Sequence, residues 1–430
     1  MAARLREGAG PVGLAKDTSN LFRDRAGGGR RRLDVRHFNE ILSLGENFVD
    51  AEGMIPYEEL VRGCLAQGVM PAVVPQLKTI TLGGAVAGVG IESSSHRQGL
   101  VHDTMLELEV LLGDGRIVTA TPANEHADLF FGFPNSYGTL GYALRVKART
   151  IPVKPYVRLE HRGFSSADEY FRALDVRLRA GDFDFVDGTI FGPGRFFLTL
   201  GRFSDTAPYT SDYTFEKIYY RSIAERREDY LTIHDYLWRW DTDWFWCSKN
   251  VFAQQPFIRK LYGRKRLGSR TYTKIMRWNS RFGATKKLER VLGLHSESVI
   301  QDVDIPLGRA AEFFAFYEKE IGLWPQWVCP IGFAGMGSFT LYPRRDEWYV
   351  NFGFWDVKRT REARPRGHFN RMIEEKVAAL GGIKSLYSES YYPEDEFYRH
   401  YGGGAYDALK RKYDPGAAFP RLYEKCVLRH

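Results

Sequence analysis

Pro75–Leu112 reads PQLKTITLGGAVAGVGIESSSHRQGLVHDTMLELEVLL, and this stretch decides the fold. Gly83, Gly84, Gly88 and Gly90 fall within eight residues, between two apolar runs. Glycine has no Cβ, so backbone N–H groups at such positions can close around an anion. The stretch contains neither the Gly-Lys-Ser/Thr of a P-loop nor the dinucleotide glycine spacing. It predicts either a nucleotide cradle or a glycine-rich packing turn.

The segments on both sides of this stretch predict a mixture of helix and strand. Pro56–Gln67 has a helical apolar stripe that places Cys64 in the core. After the glycines, Leu106–Val110 alternates apolar and polar residues, Asp114-Gly115 forms a turn, and Arg116–Ala120 returns as a strand. Val69–Val74 forms a short strand that leads into the glycines, and a strand, a loop and a hairpin in this order indicate an α+β domain.

Composition indicates a soluble globular protein with room for two domains. The chain has 430 residues, of which 44% are apolar and 27% charged. Its cysteines are far apart, which argues against disulfides and against a metal site: Cys64, Cys247, Cys329 and Cys426. We expect neither a membrane span nor a signal peptide, and a reducing, cytoplasmic setting.

Several separated segments carry a family resemblance in a consistent order: Thr81–Glu92, Ser95–Gly99, Gly138–Pro152, Val299–Leu307, Trp324–Pro330 and Ala417–Lys425. They resemble the vanillyl-alcohol-oxidase superfamily, and within it the sterol side-chain (delta-24) reductases and their bacterial relatives. The resemblance implies an α+β fold with a two-part FAD-binding domain and a cap domain built from an antiparallel sheet and helices. We expect the FAD-binding domain at 1–155, the substrate or cap domain at 156–385, and a segment at 386–430 that returns to the flavin.

The resemblance also implies which residues contact FAD. The first flavin loop falls in Leu14–Arg23, which contains no histidine, so we expect the flavin to be bound non-covalently. The expected contacts are Lys16, Thr18, Ser19, Asn20, Thr81, Gly83, Gly84, Gly88, Gly90, Ile91, Ser95, His96, Gly138, Thr139, Gly141 and Val146.

The related reductases saturate an isolated carbon–carbon double bond, which has no carbonyl to polarise it. Protonation towards a tertiary cation followed by hydride transfer from flavin N5 is the sensible order, and it requires a positioned acid. The candidate acids are Glu92, His96, Glu389 and Tyr391. An aromatic, dry pocket stabilises the developing positive charge. The expected electron donor is NADPH, with a partner reductase as the alternative.

Two substrates satisfy this electronic requirement, a methylene-branched fatty acyl chain and a sterol side chain. The glycine stretch is most similar to actinobacterial flavoproteins that form the methyl branch of tuberculostearic acid, so we favour the acyl chain over the sterol. Two alternatives from other classes stay open. One is an FAD-dependent oxidase or dehydrogenase of a polar alcohol, and the other is a non-enzymatic basic surface-binding protein.

Phe257–Arg290 is strongly basic. Its net charge is +11, against +8 for the whole chain, so the remainder carries −3. The preceding residues Tyr230–Phe252 are crowded with tryptophan, and together 230–290 form a basic aromatic segment of the cap domain. Such a segment suits an anionic membrane surface, nucleic-acid phosphates, or a solvated basic face around core aromatics. We expect the membrane rather than nucleic acid, peripheral attachment at the inner face of the cell membrane, and a methyltransferase or reductase as a protein partner.

Overall fold

The computed structural model of the protein describes residues 12–16, 22, 31–282, 293–333, 335 and 337–429. Helices and mainly antiparallel sheets give an α+β fold. A small parallel sheet pairs Val12–Ala15 with Arg31–Asp34, and two larger sheets of six and eight strands carry the rest of the architecture. Within these described ranges, no helix is both long and apolar enough to cross a membrane.

The six-stranded sheet and its helices occupy the first part of the chain. The elements are β1 (Val12–Ala15), β2 (Arg31–Asp34), β3 (Ile41–Leu44), β4 (Phe48–Glu52), α1 (Tyr57–Leu65), β5 (Val69–Pro71), α2 (Leu82–Ala87), α3 (Ser95–Gln98), β6 (Met105–Leu111), β7 (Ile117–Ala120), α4 (Ala127–Gly132) and β8 (Tyr142–Pro152). The sheet has the order β3-β4-β8-β6-β7, and β5 also pairs with β8.

The eight-stranded sheet begins at Tyr156, directly after the predicted domain boundary. Its strands and the helices between them are β9 (Tyr156–Phe164), α5 (Ala167–Ala180), β10 (Phe185–Gly192), β11 (Arg195–Ser204), α6 (Tyr219–Ser222), β12 (Glu228–Thr232), α7 (Ile233–Trp238), α8 (Pro256–Tyr262), α9 (Ser269–Phe282), β13 (His295–Pro306), α10 (Ala310–Phe316), β14 (Gln326–Ile331), β15 (Tyr349–Thr360), α11 (His368–Ala379) and β16 (Ile383–Lys384). The strand order is β12-β9-β11-β10-β14-β15-β13-β16.

The C-terminal part adds α12 (Glu394–His400) and α13 (Gly403–Tyr413), and it packs back onto the first part of the chain. Lys410 Nζ donates to Thr139 O at 2.8 Å and to Phe419 O at 2.7 Å. The same ammonium lies 2.5 Å from Asp414 Oδ2. The end of the chain is therefore fastened beside Thr139, one of the predicted flavin contacts.

The local sequence predictions agree with these elements. The predicted helix appears as α1, directly after Pro56, and Cys64 is fully buried. The predicted hairpin appears as β6 and β7, which pair from Leu108 with Ala120 to Leu111 with Ile117. Both predictions are confirmed because each rests on a local apolar period and a turn signal.

Candidate functional site

The glycine stretch is partly helical, which corrects the prediction of an open loop. Gly83 and Gly84 lie inside α2, where Thr81 Oγ1 caps the helix by accepting from Gly84 N at 3.2 Å. Gly83 N donates to Gly53 O at 2.8 Å, and a Cβ on Gly83 would lie 2.8 Å from that same oxygen. Gly83 therefore lets the helix pack closely on the sheet, and Gly84 leaves room for the Thr81 cap, since a Cβ there would lie 2.7 Å from Thr81 Oγ1.

The amides available to an anion lie a few residues later, at Val89, Gly90 and Ile91. Among the described residues, none of these three N–H groups has a hydrogen-bond acceptor, although Gly90 and Ile91 are buried. Gly88 N is satisfied by Gly84 O at 3.0 Å. Buried amides without partners are rare in native proteins, so a polar ligand at this turn is the simplest way to satisfy them.

A second glycine loop, Asn135–Gly141, packs against the first. Tyr137 N donates to Ala87 O at 2.8 Å, and Asn135 N donates to Gly88 O at 3.3 Å. Asn135 and Tyr137 adopt left-handed backbone conformations, with φ of 60° and 51°. The Thr139 hydroxyl, predicted as a donor to the flavin, donates instead to Ser136 O at 2.9 Å.

The other predicted FAD contacts are spread over the same part of the chain. Ser95 Oγ accepts from Glu92 N at 3.1 Å, and Gly141 packs against Val110 with φ of 145°. Val146 is a buried residue of β8, and Lys16 directly follows β1. The predicted contacts Thr18, Ser19 and Asn20 lie outside the described residues.

Two of the predicted acids, Glu92 and His96, tie the first part of the chain to the eight-stranded sheet. Glu92 Oε1 accepts from Arg239 Nη2 at 2.7 Å, and the same nitrogen lies 3.4 Å from Asp187 Oδ2. The ring nitrogens of His96 lie 2.9 Å from Ser93 O and 3.0 Å from Phe183 O, and burial lowers the pKa of His96. These contacts favour a positioning role for both side chains.

The other two predicted acids form a separate pair. Tyr391 OH donates to Glu389 Oε2 at 2.5 Å, and Arg429 Nη1 lies 2.9 Å from Glu389 Oε1. Tyr391 lines a surface cavity of about 500 Å³ together with Arg366 and Arg371. No contact among the described residues joins this pair to Glu92 or His96, so the structure does not gather the four candidates into one site.

The acid that the sequence analysis did not find is Asp302, on β13. Asp302 and Asp304 share one face of the eight-stranded sheet, opposite Gly353 and Asn351 of β15. Burial raises the pKa of Asp302 to about 7; the adjacent Tyr387 hydroxyl opposes this shift, and the Asp304 charge adds to it. Asp302 is half-buried, so part of this residue stays accessible to solvent or to a ligand.

The neighbouring groups hold Asp304 in place. Asn351 Nδ2 donates to Asp304 Oδ1 at 2.7 Å, and Tyr342 OH donates to Asp304 Oδ2 at 2.8 Å. Burial raises the pKa of Asp304 as well. The motif Asp302-Val303-Asp304 contained the signal, because residues two apart in a strand lie on one face. Alternation alone does not show which face of the sheet that is.

Aromatic rings surround this polar face. The Trp355 ring lies 5.1 Å from Phe22, 5.2 Å from Phe245 and 6.2 Å from Tyr387. The Trp327 ring lies 5.4 Å from Phe245. Aromatic walls of this kind exclude water and present ring faces that attract positive charge.

Several buried polar atoms without a partner lie where the two glycine loops meet this face, in a region that we call the junction. Within the described residues, the side-chain atoms without a hydrogen-bond partner here are His102 Nδ1 and Nε2, Asn135 Oδ1, Ser136 Oγ and Asn351 Oδ1. His102 packs edge-on against Phe339 at 4.6 Å, and burial lowers its pKa to about 4.

These orphaned groups fit a large, flat ligand that carries both polar and apolar edges. The free amides of Val89–Ile91 suit an anionic part, and the tryptophan and tyrosine rings suit an aromatic part. A flavin dinucleotide has both. The chemistry of the junction thus agrees with an FAD site, although Gly83, Gly84 and Thr139 serve the loops themselves.

Comparison with known proteins also indicates that the chain binds FAD. An FAD binding domain matches residues 15–121. The chain is 28% identical over 371 residues to the Delta(24)-sterol reductase of Mus musculus, covering 82% of this chain and 69% of the relative. The Delta(24)-sterol reductase of Pisum sativum is 26% identical over 468 residues, covering 93% and 78%.

A shorter similarity reaches an enzyme with a different name. Cytokinin dehydrogenase 1 of Oryza sativa subsp. japonica is 29% identical over 179 residues, which cover 39% of this chain and 31% of the relative. Together with the orphaned groups of the junction, these similarities support an FAD-binding oxidoreductase that resembles the Delta(24)-sterol reductases.

Proposed function

We propose that the protein is an FAD-dependent reductase of an isolated carbon–carbon double bond in a lipid, with the flavin bound non-covalently in a two-part arrangement at the junction. The observation that carries the proposal is Asp302, a half-buried acid with a pKa of about 7 among aromatic rings. The similarity to enzymes named Delta(24)-sterol reductase supports a lipid alkene as the substrate class.

An acid with this pKa suits the reaction. An alkene without a carbonyl becomes reactive when a proton is added to give a tertiary cation, and a general acid works best with a pKa near the working pH. The Asp304 charge and the apolar surroundings both keep the proton on Asp302 near neutrality. Reduced FAD, when bound, supplies the hydride that completes the saturated product.

The remaining groups of the junction orient the substrate and keep water out. Trp355 lies two positions along β15 from Gly353, the pairing partner of Asp302, and its ring is 5.2 Å from that of Phe245. An aromatic ring near a cation stabilises it by about 0.5–2 kcal/mol. Tyr387 lies beside Asp302 and can hold its carboxyl group in one orientation. The amides of Val89, Gly90 and Ile91 and the loop Asn135–Gly141 would hold the cofactor.

We assign a methylene-branched fatty acyl chain as the substrate, reduced to the methyl-branched, tuberculostearic-type product. Asp302 lies among apolar rings, which suits an acyl chain that has no polar group near the reacting carbon. We assign NADPH as the electron donor, which would enter the same junction; a partner reductase would serve equally well. A delta-24 sterol is the second candidate substrate, and the names of the relatives favour it.

The test begins with the visible spectrum of the purified protein. Flavin absorbance that moves to the supernatant after acid precipitation supports non-covalent FAD. The protein is then reduced anaerobically with NADPH and mixed with a phospholipid carrying a methylene-branched chain, with a delta-24 sterol, or with the saturated counterpart of each. We expect flavin reoxidation with the methylene lipid and none with the saturated lipids.

The outcomes separate the alternatives. Faster reoxidation by the sterol would replace the acyl chain with the runner-up substrate. Rapid reoxidation by oxygen, with turnover of polar alcohols, would favour an oxidase or dehydrogenase. If the protein held no flavin, even after FAD is added back, the proposal would be contradicted. The non-enzymatic basic surface-binding protein would then be the favoured alternative. The exposed Asp168→Asn variant is the matched control for changes at Asp302.

A further inference from the structure

The basic aromatic segment divides into a buried part and an exposed part. Trp240, Trp244, Phe245 and Trp246 are all buried, so these aromatics belong to the core and not to a surface. Arg259 is buried as well, 1% exposed, and donates to Phe215 O. Several residues of the basic aromatic segment are therefore buried and cannot contact a membrane. The exposed residues of the segment are the ones that could.

The remaining apolar residues protrude strongly. Phe252 is 68% exposed, Phe257 72% and Leu261 66%. Phe257 and Leu261 lie four residues apart on α8 and therefore share one side of the helix. Trp278 on α9 is 58% exposed. Four of the large apolar residues exposed among the described parts of the chain thus fall within 27 positions.

Exposed cations accompany these side chains. One exposed cation, Lys260, lies on α8, and three more follow shortly after the helix ends: Arg264, Lys265 and Arg266. Arg264 pairs with Asp212 at 2.8 Å and Lys260 lies 3.7 Å from Glu216. Lys265 and Arg266 form no ion pair with any residue that the structure describes. Exposed apolar side chains next to cations without ion-pair partners are complementary to a partner that has an anionic outer layer and an apolar interior.

The segment is anchored rigidly enough to present this surface. Arg259 reaches from α8 to Ala253 O at 3.4 Å and to within 3.7 Å of Asp243 Oδ1. On the next helix, Tyr272 stacks on Trp244 at 5.4 Å with an interplanar angle of 6°. Both helices are thus fastened by their inner sides, and their outer sides stay in solvent.

We infer that Phe252, Phe257 and Leu261, with Lys265 and Arg266, form a docking surface for an anionic lipid bilayer. The three apolar side chains insert among the head groups, and the cations bind lipid phosphates, an arrangement typical of peripheral membrane proteins. Nucleic acid offers phosphates but no apolar layer for aliphatic Leu261, and a second copy of the chain would present the same positive charges to itself. The attachment is independent of the reaction and of the flavin.

The inference is tested by co-sedimentation of the full chain with vesicles of phosphatidylcholine, with and without 30% phosphatidylglycerol. We expect binding that needs the anionic lipid and weakens with salt. Phe257→Ser/Leu261→Ser and Lys265→Glu/Arg266→Glu each lower the affinity at least tenfold. The matched controls are Leu42→Ser/Ile117→Ser, both exposed by 51% elsewhere, and the exposed pair Arg172→Glu/Arg411→Glu.

Flavin content and turnover of a detergent-dispersed substrate are measured on the same variants, and we expect both to be unchanged. Equal losses in the docking and control variants would overturn the inference. So would tighter binding to an oligonucleotide than to the vesicles, or a dimer in light scattering that Phe257→Ser/Leu261→Ser dissociates. None of these outcomes bears on the reductase proposal, which is tested without a membrane.

Discussion

The two faces of the eight-stranded sheet differ in chemistry although both are buried. The face under α5, α10 and α11, which we call the apolar face, carries mainly apolar side chains such as Val303, Val328 and Phe352, together with the buried amides of Gln301 and Gln326. The face towards the glycine loops carries Asp187, Asp302, Asp304 and Asn351 between aromatic rings. Asp302 and Val303 are adjacent in sequence but lie in different environments, because neighbouring residues of a strand point to opposite faces of the sheet.

The difference indicates which face is maintained for stability and which for function. Burying a carboxylate costs more free energy than burying an amide such as that of Gln301, and the carboxylates Asp187, Asp302 and Asp304 lie on the face towards the glycine loops. A protein keeps such a cost where the polar groups do something else. The polar face therefore marks the reacting side of the sheet, and the apolar face its support.

Removing the acid has the largest expected effect. Asp302→Asn preserves the shape of the side chain but cannot deliver a proton, and general acids contribute about 100- to 10,000-fold to rate. We expect kcat to fall by that factor, with flavin content and Tm retained. In the unsubstituted protein the rate should decline as pH rises through about 7, because the protonated form is lost. A residual rate in Asp302→Asn close to the original would show that the proton comes from elsewhere.

Breaking the ion cluster beneath the polar face comes next. Arg239→Met leaves Glu92 and Asp187 buried without their counter-charge, which costs roughly 3–5 kcal/mol of unfolding free energy. Urea denaturation measures this loss. The triple variant Arg239→Met/Glu92→Gln/Asp187→Asn removes the stranded charges and should recover most of it. If Arg239→Met alone were as stable as the original, the cluster would not join the two parts of the chain.

A deletion on the apolar face gives the complementary result. Val303→Ala removes two carbons from a fully buried side chain next to Asp302, and it should cost roughly 2 kcal/mol of unfolding free energy. Activity per folded molecule should stay the same, because Val303 faces away from the junction. A large fall in kcat at unchanged flavin content would contradict the division of the sheet into a reacting and a supporting face.

The smallest effect is expected outside both faces. Ser166 Oγ caps α5 by accepting from Glu169 N at 3.3 Å, so Ser166→Ala should cost about 1 kcal/mol and leave activity unchanged. Ser166→Asn, which can cap equally well, should restore the stability. If both variants lost the same amount, α5 would depend on packing alone.

The sequence predicts what depends on near neighbours. Helix α1 and the hairpin of β6 and β7 follow from local periods and turn residues. The glycine stretch was harder, because glycines that permit an anion to approach also permit a helix to pack closely. Gly83 does the second, and the amides at Val89–Ile91 are available for the first.

The junction itself was beyond local patterns because distant residues assemble it. Glu92 meets Arg239 across 147 positions, and Asp302 meets Tyr387 across the end of the sheet. A pattern of alternating residues shows that Asp302 and Asp304 share a face, and only the packing of helices on the other side identifies that face. Likewise, a run of basic residues does not reveal that Arg259 points inward.

The most direct test of the account is hydrogen–deuterium exchange of the protein with and without FAD. The account predicts slower exchange with FAD at Val89–Ile91, within Asn135–Gly141 and around Tyr387, and no change in α5 or α11. FAD that binds without protecting Val89–Ile91, or that protects only segments away from the junction, would contradict the placement of the cofactor against the polar face of the sheet.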